Sequence, residues 1–192
     1  MLTIITPCAR PENLPQLENS IEFDKIKMWI IVYDTKNGDF TKRYNNPKVL
    51  EIGHPTPPGG CAGHAQRNRG MDQVIEGHIY FLDDDTVLHP SFWKIFPLFD
   101  NEDRFYTFDQ QRWDEFVSVP GGTFKGDVPK VTRIDSAQYV VPRYMCGQFI
   151  ETDYRADGFF IEDVDKHFPG SHVYIPVVAS YYNFLRREAE SR

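Results

Sequence analysis

The sequence predicts an α/β protein, a mostly parallel central sheet in three layers with helices on both faces. Two observations carry this expectation. Over the first hundred residues, apolar runs of strand length alternate with segments whose apolar residues recur at helical spacing. In addition, Met28–Tyr33 (Met-Trp-Ile-Ile-Val-Tyr) is apolar without interruption, as in a strand covered on both faces. In such sheets ligands sit at the carboxyl ends of the strands.

Leu2–Thr6 is a short β-rich run stopped by Pro7. Leu14, Leu17 and Ile21 follow at helical spacing, with Asn13 as the expected cap and Gln16 three residues on. Met28–Tyr33 is the second strand; it ends at Asp34, and Asn37-Gly38 marks a turn. Val49–Ile52 is a weaker third strand. Prolines and glycines over residues 53–63 make a loop, and Ala65–Ile75 suits a helix. His78–Leu82 is a fourth strand that runs into Asp83-Asp84-Asp85. Ser91 is the expected cap of a helix reaching Phe99.

The second half is less regular. Phe105–Asp109, Ala137–Val141 and Val173–Val178 read as strands, and Glu162–Phe168 as a short helix. Gly121, Gly122 and Gly126 read as a loop and a mobile lid, because glycine permits wide backbone change. With no repeat or linker, residues 1–192 form one domain. Residues 1–100 make a ligand-binding half, and residues 101–192 a smaller mixed-sheet half packed on it. The charged tail Leu185–Arg192 reads as helical and as leading on into a longer chain.

Composition excludes several classes. The 192 residues carry 21 Lys and Arg against 28 Asp and Glu, a net charge of −7, which argues against a nucleic-acid partner. No apolar run approaches the roughly 20 residues of a membrane span. The N-terminus lacks the basic start and long apolar stretch of a signal peptide. Cys8, Cys61 and Cys146 are odd in number and scattered, which fits a reduced, intracellular, cytoplasmic chain.

Three polar motifs fall at expected strand ends: Pro7–Arg10, Asp34 and Asp83–Asp85. Adjacent carboxylates after an apolar strand repel one another unless a cation is present. In an extended backbone Asp83 and Asp85 point one way and Asp84 the other. Two hard oxygen donors on one side suit Mg²⁺ or Mn²⁺, which can also bridge a diphosphate. The competing reading is a solvated acidic turn.

Tyr80-Phe81-Leu82-Asp83-Asp84-Asp85 resembles the DXD motif of GT-A glycosyltransferases. Ile5-Thr6-Pro7-Cys8-Ala9-Arg10-Pro11 resembles the first nucleotide-binding loop of that fold. Arg67-Asn68-Arg69-Gly70 resembles the R-N-x-G/A helix of the β-1,3-glucuronyltransferases. The chain is also similar to a chlorovirus-encoded glycosyltransferase domain, which would place it in a host-cell cytoplasm. The resemblance covers residues 1–100 well and the rest weakly.

It implies a GT-A fold and a metal-dependent transfer of a hexose or deoxyhexose, glucose-like or rhamnose-like. The donor would be a UDP-sugar and the acceptor a saccharide or glycoprotein glycan. Thr6, Ala9 and Arg10 would line the nucleotide pocket, and Asp34 would accept a hydrogen bond from the uracil. Arg67 would bind the diphosphate or Asp83, since its planar fork suits either. Asp84 would hold the ribose. Asp85 would bind Mn²⁺ or Mg²⁺, with Asp83 assisting directly or through water. Asp135 would contact the donor sugar.

An inverting transfer needs a carboxylate to take the acceptor proton. Asp157, Glu162 and Asp163 are the candidates, with helix capping as the alternative for the last two. A retaining enzyme would use them on sugar instead. His167 and His172 are candidate third metal ligands, and His64 a candidate phosphate contact. Trp113, Tyr139, Tyr144 and Phe149 are candidates for stacking on sugar rings, with core packing as the alternative.

Two rivals belong to other classes. Asp83-x-Asp85-x-Val87-Leu88 fits the nucleophile motif of haloacid-dehalogenase-type phosphatases, with Lys130, Asp163 and Asp165 as ambiguous partners. A binding module without catalysis is the other.

Overall fold

The computed structural model describes residues 1–114 and 119–185, with side chains for all of these except 113, 114 and 119–121. The strands are β1 (Leu2–Cys8), β2 (Ile26–Asp34), β3 (Val49–His54), β4 (His78–Phe81), β5 (Val87–Leu88), β6 (Phe105–Asp114), β7 (Val119–Phe124), β8 (Tyr139–Pro142) and β9 (His172–Tyr182). The α-helices are α1 (Leu14–Ser20), α2 (His64–Met71), α3 (Ser91–Ile95) and α4 (Ala156–His167).

All nine strands join one sheet in the order β3-β2-β1-β4-β8-β6-β9-β5, with β7 paired to β6. β1 to β4 are mutually parallel. Antiparallel β8 sits between β4 and β6, while β6 and β9 run parallel. The expected second subregion is therefore a continuation of the same sheet.

Strand alternation sorts the apolar side chains onto two faces. Ile4, Trp29, Ile31, Tyr80 and Leu82 pack with Leu14 and Leu17 of α1 and with Phe92 of α3. Ile5, Ile30, Val32, Ile79 and Phe81 pack with Met71 of α2 and with Phe160 and Ile161 of α4. This double cover is the reason β2 is apolar throughout.

Several local expectations change. Asn13 makes no side-chain cap; it is buried and donates from Nδ2 to the Asp84 carbonyl at 3.0 Å. Pro90, not Ser91, occupies the cap position of α3, and the helix gives way to a 3-10 turn at Phe96–Leu98. Gly121 and Gly122 lie in β7, so the expected glycine lid is a strand hydrogen-bonded to β6. Helix α4 begins six residues before Glu162, which puts Glu162 and Asp163 in its middle and Asp157 in its first turn. Residues 186–192 of the charged tail and the side chain of Trp113 lie outside the described residues.

Candidate active site

The carboxyl ends of β1, β2 and β4 open into a cleft of about 820 Å³. Cys8, Ala9 and Arg10 line it from β1, Asp34 from β2, and Asp83 to Asp85 from β4. The far wall is Gln110, Asp135, Asp157 and Tyr182. Among the described residues, the non-glycine positions with left-handed backbone are Ala62 (φ 52°), Thr132 (φ 65°) and Asn183 (φ 56°), and all three line this cleft. Such conformations persist only where surrounding structure enforces them, and they gather at functional sites.

Two of the three adjacent aspartates share Arg10, and the third is held by Arg67. Asp84 turns inward: its Oδ2 accepts the N–H groups of Ala9 at 2.7 Å and Arg10 at 2.6 Å, and its Oδ1 pairs with Arg10 Nη2 at 3.0 Å. It thus fastens the loop after β1 and lines the cleft as well. Burial pushes its carboxyl up to about 6, with Asp85 adding to the shift and Arg10 opposing it. Asp85 accepts from Arg10 Nη1 at 2.9 Å. Asp83 accepts from Arg67 Nη2 at 2.5 Å.

Arg67 comes from an unusual helix. The α2 sequence, His-Ala-Gln-Arg-Asn-Arg-Gly-Met, is mostly polar, yet only Arg69 of it is exposed. Burial of polar groups requires partners, and they are present. Asn68 donates to the Phe149 carbonyl at 3.0 Å and accepts from Phe149 N–H at 2.8 Å. Gln66 donates to the His54 carbonyl at 2.9 Å. Arg67 donates to the Ala62 carbonyl and to Ser136 Oγ, and its guanidinium lies 5.6 Å from the Phe149 ring. Burial alone would weaken its hold on the proton, but Asp83 and Asp157 reverse that and raise its pKa. Gly70 lets this helix close on the sheet, since a Cβ there would stand 2.5 Å from Ile5 Cγ2.

Two further carboxyls face Asp83 across the cleft. Asp135 is pushed up to about 8, by burial first and then by Asp83 and Asp157. It also closes a capping box with Gln138, its Oδ1 accepting the Ala137 N–H at 2.9 Å. Asp157 is pushed up to about 6 by burial, with Arg67 opposing and Asp83 reinforcing the shift. His64 Nδ1 lies 3.7 Å from Asp157 Oδ1, but burial and Arg67 lower the His64 pKa to about 4, so the imidazole is neutral at pH 7.

Asp34 carries a lighter load. Burial would raise its pKa, but hydrogen bonds from Thr56 Oγ1 (2.8 Å) and the N–H groups of Lys36 and Thr56 (3.0 Å each) hold it below the usual carboxylate range. It closes the turn and lines the cleft at once.

The structure thus gathers Ala9, Arg10, Asp34, Arg67, Asp83, Asp84, Asp85, Asp135 and Asp157. Thr6 is not with them: it is buried in the core, where its Oγ1 accepts from Trp29 Nε1 at 2.9 Å. Glu162 is turned away to accept the Val131 N–H, and Asp163 pairs with His167 on the outer face of α4, so neither lines the cleft. His172 bonds Thr107 and stacks on Phe105, away from the aspartates. Tyr139 and Phe149 are core residues, and Tyr144 is exposed elsewhere. The aromatic residues that do reach the cleft are Phe124, Tyr154 and Tyr182. Lys36, Thr56 and Tyr182 sit at or just beyond strand ends, so the strand-end rule alone would have found them.

The donor set suits a divalent cation in one specific sense. Around the cleft the carboxyls of Asp83, Asp84, Asp85, Asp135 and Asp157 outnumber the guanidiniums of Arg10 and Arg67, and beyond the effect of burial Asp83 pushes Asp135 and Asp157 further up. Among the described residues, no three His, Cys, Asp or Glu side chains gather tightly enough to hold an ion alone. An ion here would take one or two carboxylates and complete its shell from phosphate and water, the usual manner of Mg²⁺.

Comparison with solved structures settles the fold. Residues 1–349 of S. aureus TarS superpose with a TM-score of 0.68 at 18% identity, over 94% of this chain and 59% of that one. The chain has a GT-A-type fold. The same TarS segment in complex with UDP gives a TM-score of 0.65 at 18% identity, over 94% and 59%. In complex with UDP-GlcNAc it gives 0.66 at 17%, over 94% and 57%. The present chain therefore spans under two thirds of those proteins. No family model and no curated protein matches it. Among the described residues, no helix is long and apolar enough to cross a membrane.

Proposed function

We propose that this protein is a glycosyltransferase that takes a hexose or deoxyhexose from a UDP-sugar and passes it to a saccharide or glycan acceptor. The observation that carries the reading is the meeting of the β1 loop, Asp34 and the aspartate triplet with Asp135 and Asp157 in one cleft on a GT-A-type sheet. The UDP and UDP-GlcNAc complexes of TarS support the choice of nucleotide.

In this reading Ala9, Arg10 and Asp34 flank the nucleoside, and the diphosphate lies over Asp83 and Asp85. These two carboxylates would hold Mn²⁺ or Mg²⁺, which supplies positive charge against the leaving diphosphate. Arg67 adds a fixed positive charge beside Asp83 and needs no reorganisation during the reaction. Asp157 is the base of an inverting transfer. The acceptor oxygen bonds to the anomeric carbon, the bond from that carbon to the diphosphate breaks, and the acceptor proton passes to the Asp157 carboxylate. A pKa of about 6 leaves Asp157 mostly ionised at pH 7 and still a competent base.

The phosphatase alternative finds less support, because Lys130, Asp163 and Asp165 do not line the cleft. The test is a panel of nucleotide sugars with Mn²⁺, scored for binding and slow release of free UDP. A UDP-sugar preference is expected, with the metal response lost in Asp85→Ala. Turnover of a generic phosphomonoester, with phosphate trapped on Asp83, would overturn the proposal.

A further inference from the structure

Gln110 lines the cleft from within the sheet. It sits inside β6, in register with Phe124 of β7 and Ser180 of β9. Its side chain is fully buried, and its Oε1 has no hydrogen-bond partner among the described residues. Among the described residues its Nε2 reaches one acceptor, Asp135 Oδ1, at a long 3.5 Å. A buried amide satisfied at one end only is a standing loss of stability that an apolar side chain of equal size would avoid.

Asp135 shows what the arrangement achieves. Its Oδ1 is committed to the protein, accepting from the Ala137 N–H at 2.9 Å and facing Gln110 Nε2. Its backbone N–H is tied to Gln138 Oε1 at 3.0 Å. The side chain is therefore pinned at one oxygen, and among the described residues Oδ2 has no hydrogen-bond partner, on a residue that lines the cleft with Asp83 and Asp157. An unpartnered carboxyl oxygen on a cleft-lining residue matches a ligand hydroxyl, which can both donate and accept. Exchanging the nitrogen and oxygen of the Gln110 amide would still leave one end unmatched beside Asp135.

We propose that Gln110 and Asp135 form a hydroxyl-recognition pair for the transferred sugar, Asp135 making the contact and Gln110 acting as the positioning residue that aims its second oxygen. The ligand class is a hexose with a free hydroxyl at the carbon facing Asp135; a sugar deoxygenated there is discriminated against. This rests on the nucleotide-sugar reading above and adds the specificity of its sugar end.

The experiment measures affinities of UDP, UDP-glucose, UDP-galactose and UDP-N-acetylglucosamine in Mn²⁺ buffer for the full chain, Gln110→Met and Asp135→Ala, with thermal melting of each. At least one UDP-hexose is expected to bind the unaltered chain about tenfold tighter than UDP. Both variants should keep UDP affinity and lose that preference, and Gln110→Met should melt no lower than the unaltered chain. A purely structural Gln110 would weaken UDP and UDP-hexose together and lower the melting temperature, which would overturn the proposal. So would a Gln110→Met protein that keeps its preference, or an unaltered chain with none. Absence of UDP binding to the unaltered chain would instead sink the broader nucleotide-sugar reading.

Discussion

At the residue scale, Asp157 and Glu162 show how a few ångströms of placement separate roles. Both stand in the acidic segment Asp157–Asp163, and residue chemistry alone ranks them equally. The helix starts at Ala156, so its first turn delivers Asp157 to the cleft, while Glu162 faces Val131. Asp157→Asn should therefore lower transfer by about a hundred- to ten-thousand-fold, with UDP affinity within about twofold of the unaltered chain. Glu162→Gln should change neither. Steady-state transfer assays beside UDP titrations check both. Arg67 presents the opposite lesson. A polar octapeptide helix reads as surface, so burial of its arginine was not visible; it became legible only through the motif Arg67-Asn68-Arg69-Gly70. Gln110 carried no signal at all, because it lies just past the strand expected over Phe105–Asp109, and a polar residue there looks solvent-facing until the neighbouring strands are placed.

At the element scale, what the sequence revealed best was the set of strands buried on both faces. β1, β2 and β4 stand out because apolar residues fill both parities, and the parallel order follows from their crossovers. The second half was harder for the same physical reason in reverse. β6, β7 and β9 mix aromatics with Asp, Gln and glycine, and their pairing is set by partners far along the chain. The glycines of β7 look like a loop when local preference is read without that pairing. Helix α2 makes the clearest element-level prediction. Gly70→Ala would press a methyl group on Ile5 Cγ2, and such overpacking costs about 1–3 kcal/mol. A lowered urea midpoint with weakened UDP binding is expected, because the same shift moves Arg67. An unchanged midpoint would show that α2 and β1 separate more easily than the contact implies.

At the scale of the whole molecule, the cleft concentrates carboxylates that the fold would be more stable without. Burial pushes the Asp84 and Asp157 carboxyls up to about 6 and Asp135 up to about 8, while it lowers His64, His78, His89 and His172, which oppose the carboxyls below about pH 6.5. Between about pH 6.5 and 8 those histidines are largely neutral folded or unfolded, and Asp135 makes the folded state bind more protons than the unfolded state. Stability therefore falls as pH rises through that window and is greatest on its acidic side. Thermal melting of the free protein should decline from about pH 6.5 to pH 8, and Mn²⁺ with UDP should flatten the decline by setting positive charge beside these carboxylates. A free protein whose melting temperature rises toward pH 8 would mean these carboxyls are ordinary. The central claim is that the aspartates after β4 receive the diphosphate of a uridine nucleotide through a divalent ion. A crystal soaked with UDP and Mn²⁺ tests it most directly. The account predicts difference density for the ion in contact with Asp85 or Asp83, the diphosphate beside it, and the base against Ala9 and Asp34. Ordered nucleotide elsewhere on the surface, or an ion remote from residues 83–85, would contradict it.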